Sequence, residues 1–406
     1  MTYVKRIGVL AFFVLASCSG YKYSTHNFPK AVDTTSKPIE LQEKKQFSVL
    51  GVQASNQFAS ARLNGFEREN DSTIRALIRP ENSPINPSPW YAFKLWADTE
   101  ITRYIHLDYG DHFHRYAPKI STDGEQWQLL DTAMVQVHAD KSATLKLQLS
   151  SDTLWVAAQE IHDSKRVGAW AAQMAQHKGV SAHTAGTSKM GRELPYLDIG
   201  FGDTKKKPTL IIISRQHPPE VTGYLAMQAF VETLIDQGGK NGFLKSHRVL
   251  VYPILNPDGV DLGHFRHNTG GVDMNRDWAH YHQDEIKQLT QHMVSTVNEA
   301  KSKVVMGLDF HSTYKDVYYT FDETVKTTKP GLTKAWLAGI QKGLALDSIN
   351  DSPSGIGLPV SKGWFYNQFK AESVTYEIGD DTPRDFIKEK GRVSAEVLME
   401  LLMSGL

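Results

Sequence analysis

A single cysteine, Cys18, stands in a chain of 406 residues. One sulfur forms no intrachain disulfide and builds no thiolate metal centre. Net charge is also missing: 45 Lys and Arg balance 45 Asp and Glu. That balance argues against a nucleic-acid binder, which carries a basic excess. The one local basic run, Lys205–Lys207 in "DTKKKPT", reads as a solvated turn before a strand. Internal repeats and low-complexity blocks are absent, and the apolar run Ile7–Leu15 is too short to span a bilayer. What remains is ordinary globular composition, 40% hydrophobic and 22% charged, at a length that implies two domains.

The position of the cysteine is informative. Lys5 and Arg6 precede the apolar run, and Ala16-Ser17 follow it. That order of charged, apolar and small residues is the order of a secretory signal. "LASC" resembles the lipobox of bacterial lipoproteins, which implies a signal at residues 1–18 and acylation of Cys18. Ser19, where an aspartate would imply retention at the inner membrane, implies an outer-membrane lipoprotein facing the periplasm. The expected membrane contact is through that lipid alone. Residues 19–45 are polar and read as a tether. From 46 to 160, short alternating runs such as "SATLKLQL" lie between turn clusters such as "PENSPINPSP". They predict a small antiparallel β-sandwich. His106, His112 and His114 read as surface histidines on a turn.

The texture changes at about 165. "PTLIIIS", "RVLVYPILN", "VVMGLDFH" and "SVTYEI" are continuous apolar strands of the kind buried on both faces. Helical periodicity runs from Val221 through Leu225 to Leu234, where Gly238-Gly239 is expected to close the helix, and recurs at Asp284–Val297 and Leu332–Leu344. This alternation predicts an α/β domain at 165–406, with a mostly parallel sheet flanked by helices. Ligands of such sheets collect at the carboxyl ends of the strands.

Three strand ends carry polar residues. His217 and Glu220 follow the first strand, His311 the third, and Glu377 ends the last. Two imidazoles and one carboxylate make a three-ligand zinc site with an open position, the pattern of a catalytic ion. Pro218 and Pro219 fix the exit from the strand and suit the first turn of the helix that follows. The long loop Asn256–Trp278 is dense in Gly, Asn and Asp and holds Arg266, Asn275 and Arg276. A guanidinium there can grip a carboxylate bidentately.

"HPPE", "NPDGV…FR…DMNRDW", "DFHS" and "VTYEIGD" resemble, in order and interval, the motifs of the zinc carboxypeptidase A superfamily. "NPDGV", the step from Asp258 to Arg266 and a leading sandwich with "SPWYAFKL" are similar to the cytosolic carboxypeptidase-like branch. The resemblance implies a mixed sheet and one zinc ion on His217, Glu220 and His311. It implies Glu377 as general base, Arg266 facing the scissile carbonyl oxygen, and Asn275 and Arg276 holding the terminal carboxylate of a peptide. Pancreatic-type members carry a tyrosine some twenty residues before the glutamate, where this chain has "SPSGIGLPV". "VSKGWFYNQ" resembles the floor of the specificity pocket and puts Lys362 where the terminal side chain is read, which favours an acidic residue. Two other functions fit the same residues: a zinc amidase or stem-peptide peptidase, and a non-catalytic binding lipoprotein.

Overall fold

The computed structural model describes residues 20–30 and 32–405. The expected signal and Cys18 lie outside the described residues. None of the described helices is long and apolar enough to cross a membrane.

The front of the chain forms two packed sheets. One has six strands, in the order Gln46–Val49, Val52–Ser55, Ala92–Ala97, Leu154–Ala157, Lys119–Ser121 and Gln128–Leu129. The other has five: Gly65–Arg68, Thr73–Leu77, Ile101–Asp108, Ala143–Leu149 and Val135–Val137. Alternation explains the packing. Ala143, Leu145, Leu147 and Leu149 are all buried, while Lys146 and Gln148 between them are exposed. Trp90, Tyr91, Phe93 and Leu107 fill the space between the sheets. The pairing is antiparallel throughout except between Thr73–Leu77 and Ile101–Asp108, which run parallel.

The rest is a seven-stranded mixed sheet. Its order is Val180–Thr187, Glu193–Ile199, Arg248–Tyr252, Thr209–Ser214, Val304–Thr313, Glu372–Gly379 and Val317–Tyr319. The four strands expected from sequence are adjacent and mutually parallel. Their apolar runs are continuous because both faces are covered. Leu210 and Ile212 join the core beneath the helices Val221–Asn241, Leu332–Gly343 and Arg384–Met403. Ile211 and Ile213 join the core beneath Asp284–Glu299 and Ser361–Phe369.

Three expectations need correction. The described residues of the expected tether, 20–30 and 32–45, do not hang free, because their aromatics are anchors. Tyr23 stacks on Tyr281 with ring centroids 4.9 Å apart, Phe28 is buried, and Tyr21 and Asn298 exchange two hydrogen bonds of 2.7 Å. Gly238-Gly239 do not close their helix, which runs on to Asn241 and ends at Gly242 with φ +91°. Gly238 serves packing instead: a Cβ there would stand 3.2 Å from Leu244 and Met399. The prolines of "HPPE" lie ahead of the helix that starts at Val221, in the turn between strand and helix.

Candidate active site

The site sits at the carboxyl ends of the parallel strands. Thr209–Ser214 ends, the chain reverses through Arg215 at φ +54°, and the turn delivers His217 and Glu220. Arg215 locks this turn by donating to the Pro218 carbonyl (3.0 Å) beneath the Tyr224 ring. His311 comes from the adjacent strand, and Glu377 lies directly opposite it on the next. Gly223 lets these pieces meet. A Cβ at that position would stand 2.2 Å from the His311 carbonyl oxygen.

Ligand atoms of His217, Glu220 and His311 all lie within 4.8 Å of one another. The Nδ1 atoms of both imidazoles face the Glu220 carboxylate, at 2.8 Å and 2.7 Å. Their Nε2 atoms point away onto carboxylates: His217 onto Asp273 (2.9 Å) and His311 onto Asp309 (2.7 Å). Such outer partners fix the tautomer and ring plane of metal-binding histidines. Asp309 is held in turn by Gln216 and Ser361. The pocket favours positive charge. Burial works against it, but Asp309 and Glu220 together raise the His311 imidazole well above its ordinary pKa. Against the same burial, His217 and His311 hold Glu220 far below the usual carboxylate range. Buried imidazoles backed by carboxylates, with an acid between them, fit a zinc ion.

Around this group lies a cleft of about 430 Å³ lined by Arg266, Asn275, Arg276, Lys362 and Glu377, among others. Burial, with the Glu220 charge behind it and His311 pulling the other way, pushes the Glu377 carboxyl up to about 7. Its Oε2 atom is shielded from solvent and has no hydrogen-bond partner. Arg266 directs Nε and Nη2 onto Asp273, both at 2.8 Å.

A family model described as zinc carboxypeptidase matches residues 167–405. The chain belongs to that family. Zinc is its cofactor, and His217, Glu220 and His311 form the site that holds one ion. An uncharacterised protein of Zymomonas mobilis is 23% identical over 380 residues, which is 86% of this chain and 97% of that one. Mouse cytosolic carboxypeptidase 6 is 30% identical over 138 residues, 31% of this chain but only 25% of the mouse protein's own length. The metallo-carboxypeptidase of Pseudomonas aeruginosa, solved in complex with (2-guanidinoethylmercapto)succinic acid, superposes with a TM-score of 0.71 at 20% identity. That match covers 86% of this chain and 99% of the other. The Burkholderia cenocepacia metallo-carboxypeptidase gives 0.72 at 16%, over 87% and 100%. These two likenesses show the fold, front domain included.

In this zinc carboxypeptidase the remaining sequence-predicted residues fare unequally. Asn275 lines the cleft, but its Oδ1 accepts from the Ser361 backbone (2.9 Å) and its Nδ2 lies 3.5 Å from His311. Arg276 is the more exposed cation, with a side chain 34% exposed. Its Nη1 donates to the Asn275 carbonyl (2.8 Å) and stands 3.8 Å from Asp273, while no hydrogen bond among the described residues engages its Nη2. Lys362 reaches the cleft wall, yet its ammonium is committed. It donates to the Thr320 carbonyl and to the Ser354 carbonyl (3.0 Å) and hydroxyl (2.8 Å), above the Phe321 ring. Three donors on three acceptors leave none free for the direct contact with a terminal side chain that the sequence led us to expect. His106 bonds Glu69 and Ser142 while His114 bonds the Tyr109 hydroxyl, so those histidines form no cluster.

Several functional neighbours escaped the sequence. Asp309 was findable: two residues before His311 on a strand, it shares the ligand's face. Asp273 lies inside the quoted "DMNRDW" and had no assigned task. Tyr314 and Tyr319 also line the cleft. The sandwich domain adds Asn86, Pro87, Ser88 and Arg115, which no local pattern connects to the site.

Proposed function

We propose that the cleft removes single residues from the free carboxyl ends of peptides, with a bias towards acidic terminal residues. The reading is carried by the unpartnered Glu377 carboxylate beside the zinc ligands, in a cleft rimmed by Arg276. When bound, zinc supplies the Lewis acidity that makes water nucleophilic near neutral pH. Glu377, opposite His311 on the neighbouring strand, takes the proton of the attacking water and returns it to the departing amine. Arg266, oriented by Asp273, donates to the carbonyl oxygen as negative charge builds there. Arg276 presents its fork to the terminal carboxylate beside Asn275, which sets the attacked bond one residue from the end.

The acidic bias rests on field rather than contact. Of the cations lining the cleft, Arg115 and Arg266 are paired with Asp380 and Asp273, so the bias rests on Lys362 beside Arg276. Burial pushes the Lys362 ammonium down to about 8, so it stays charged at neutral pH.

The test is release of C-terminal residues from matched peptides ending in Glu, Leu or Lys, free or amidated. Glu377→Gln is expected to retain zinc and lose ~10²–10⁴-fold in kcat. Arg276→Ala is expected to erase the preference for free over amidated ends. Unchanged discrimination by that variant would refute the exopeptidase assignment and favour an amidase. Export and acylation rest on the "LASC" motif. Metabolic palmitate labelling of membrane fractions, lost in Cys18→Ala, is the expected result for an outer-membrane lipoprotein.

A further inference from the structure

The loop that carries Arg266 is held by the sandwich domain and the segment leading into it, almost residue by residue. Ser60 donates its N–H to the Asp261 carbonyl (2.7 Å), and Gln42 its side-chain amide to Leu262 (3.2 Å). Arg62 donates Nε to Gly263 (2.7 Å). Glu81 then takes three consecutive backbone N–H groups: Phe265 (2.7 Å), Arg266 (3.0 Å) and His267 (2.6 Å). Asn82 continues the series, with Oδ1 at His267 Nδ1 (2.6 Å) and Nδ2 donating to the Gly271 carbonyl (3.0 Å).

Glu81 is the unusual member. It is fully buried, and its nearest cation, Arg62, stands at 3.9 Å. A buried carboxylate is costly unless it is compensated. Here the compensation is a concave row of N–H dipoles, of the kind that binds anions. Charge-assisted bonds of this type are roughly twice as strong as neutral ones. Burial alone would raise the carboxyl, but His264, Arg62 and the backbone donors outweigh it and hold it below its ordinary range. The consequence falls on Arg266. Glu81 pins its backbone from one side while Asp273 pins its guanidinium from the other.

We propose that Glu81, a residue of the sandwich domain outside the cleft, is a positioning residue for catalysis that acts through Arg266. The inference rests on the role given to Arg266 above. Misplacing a catalytic group by about 1 Å can cost ~10²-fold. In the zinc-loaded full chain, Glu81→Gln puts an amide N–H among three N–H donors. It is expected to lower kcat by ~10–10²-fold, with KM within about threefold and zinc stoichiometry unchanged. Arg266→Ala is expected to lower kcat by ~10²–10³-fold. In the double variant, adding Glu81→Gln to Arg266→Ala is expected to change kcat by less than about threefold, because residues that act as a unit are not additive. Should Glu81→Gln fail to fold, Glu81→Asp carries the same cycle with the charge kept and the reach shortened.

Effects that multiply in the double variant, or a Glu81 variant with unchanged kcat, overturn the positioning role while leaving Arg266 intact. An Arg266→Ala enzyme with unchanged kcat overturns the reading of Arg266, and this proposal falls with it.

Discussion

Side chains do their work here in pairs, one touching the reaction and one holding the first in place. His311 is inseparable from Asp309, and His217 from Asp273. Removing such a partner commonly costs 10–100-fold in metal affinity. Asp309→Asn is therefore expected to weaken zinc binding by about that factor, read as the chelator concentration needed to strip the protein. The ligands themselves were legible because "HPPE" and "DFHS" combine donor atoms with strand ends. Their supporters were less so, since an aspartate in a loop or strand has many uses. Lys362 shows the limit most clearly. Its position at the cleft was foreseeable, but the carbonyls that occupy its ammonium come from Thr320 and Ser354, in segments no alternation or spacing linked to it.

Secondary-structure elements impose demands of their own. The Val221–Asn241 helix has to start against the strand that carries His311, and only a residue without a side chain allows that approach. Gly223→Ala is expected to destabilise the fold by ~1–3 kcal/mol, the usual cost of overpacking, and to lower zinc affinity by separating His311 from its co-ligands. Denaturant midpoints with and without zinc distinguish the two effects. The helical periodicity that announced this segment said nothing of its end. Gly242 rather than Gly238-Gly239 closes it, because tertiary contacts with Leu244 and Met399 use Gly238 for closeness. Just beyond, His247 stacks on Phe243 at 4.4 Å, and burial pushes its imidazole down to about 4. The folded state therefore stays neutral there while the unfolded chain takes up a proton. Stability from this group is present above the ordinary histidine pKa and is lost as pH falls from about 6.5 towards 4. Replacing it, as in His247→Phe, is expected to make the fall of the denaturant midpoint across that window shallower, with other depressed imidazoles such as His162 supplying the rest.

At the level of the whole molecule, the four central strands and the antiparallel sheets that precede them were readable from apolar runs and their spacing. The edge strands Val180–Thr187 and Val317–Tyr319 were not: the first is mostly exposed, and the second is only three residues long, too short to show an alternation. The docking of the domains was also hidden, because it joins residues some 200 positions apart in sequence, as Arg62 and Gly263 are. Gly263 sits at φ +66°, and a Cβ there would stand 2.7 Å from the Ala61 carbonyl oxygen. Gly263→Ala is expected to cost ~1–3 kcal/mol and to show as a lowered unfolding midpoint. The cleft wall built from Pro87, Ser88 and Arg115 belongs to the sandwich domain, whose hydrophobic centre reaches across to Val221 and Phe265 of the domain that carries the zinc ligands. Entry is thus a doorway between two blocks rather than a dent in one. For the peptidase activity proposed above, a slack chain end is therefore expected to thread in more readily than one folded against its own body.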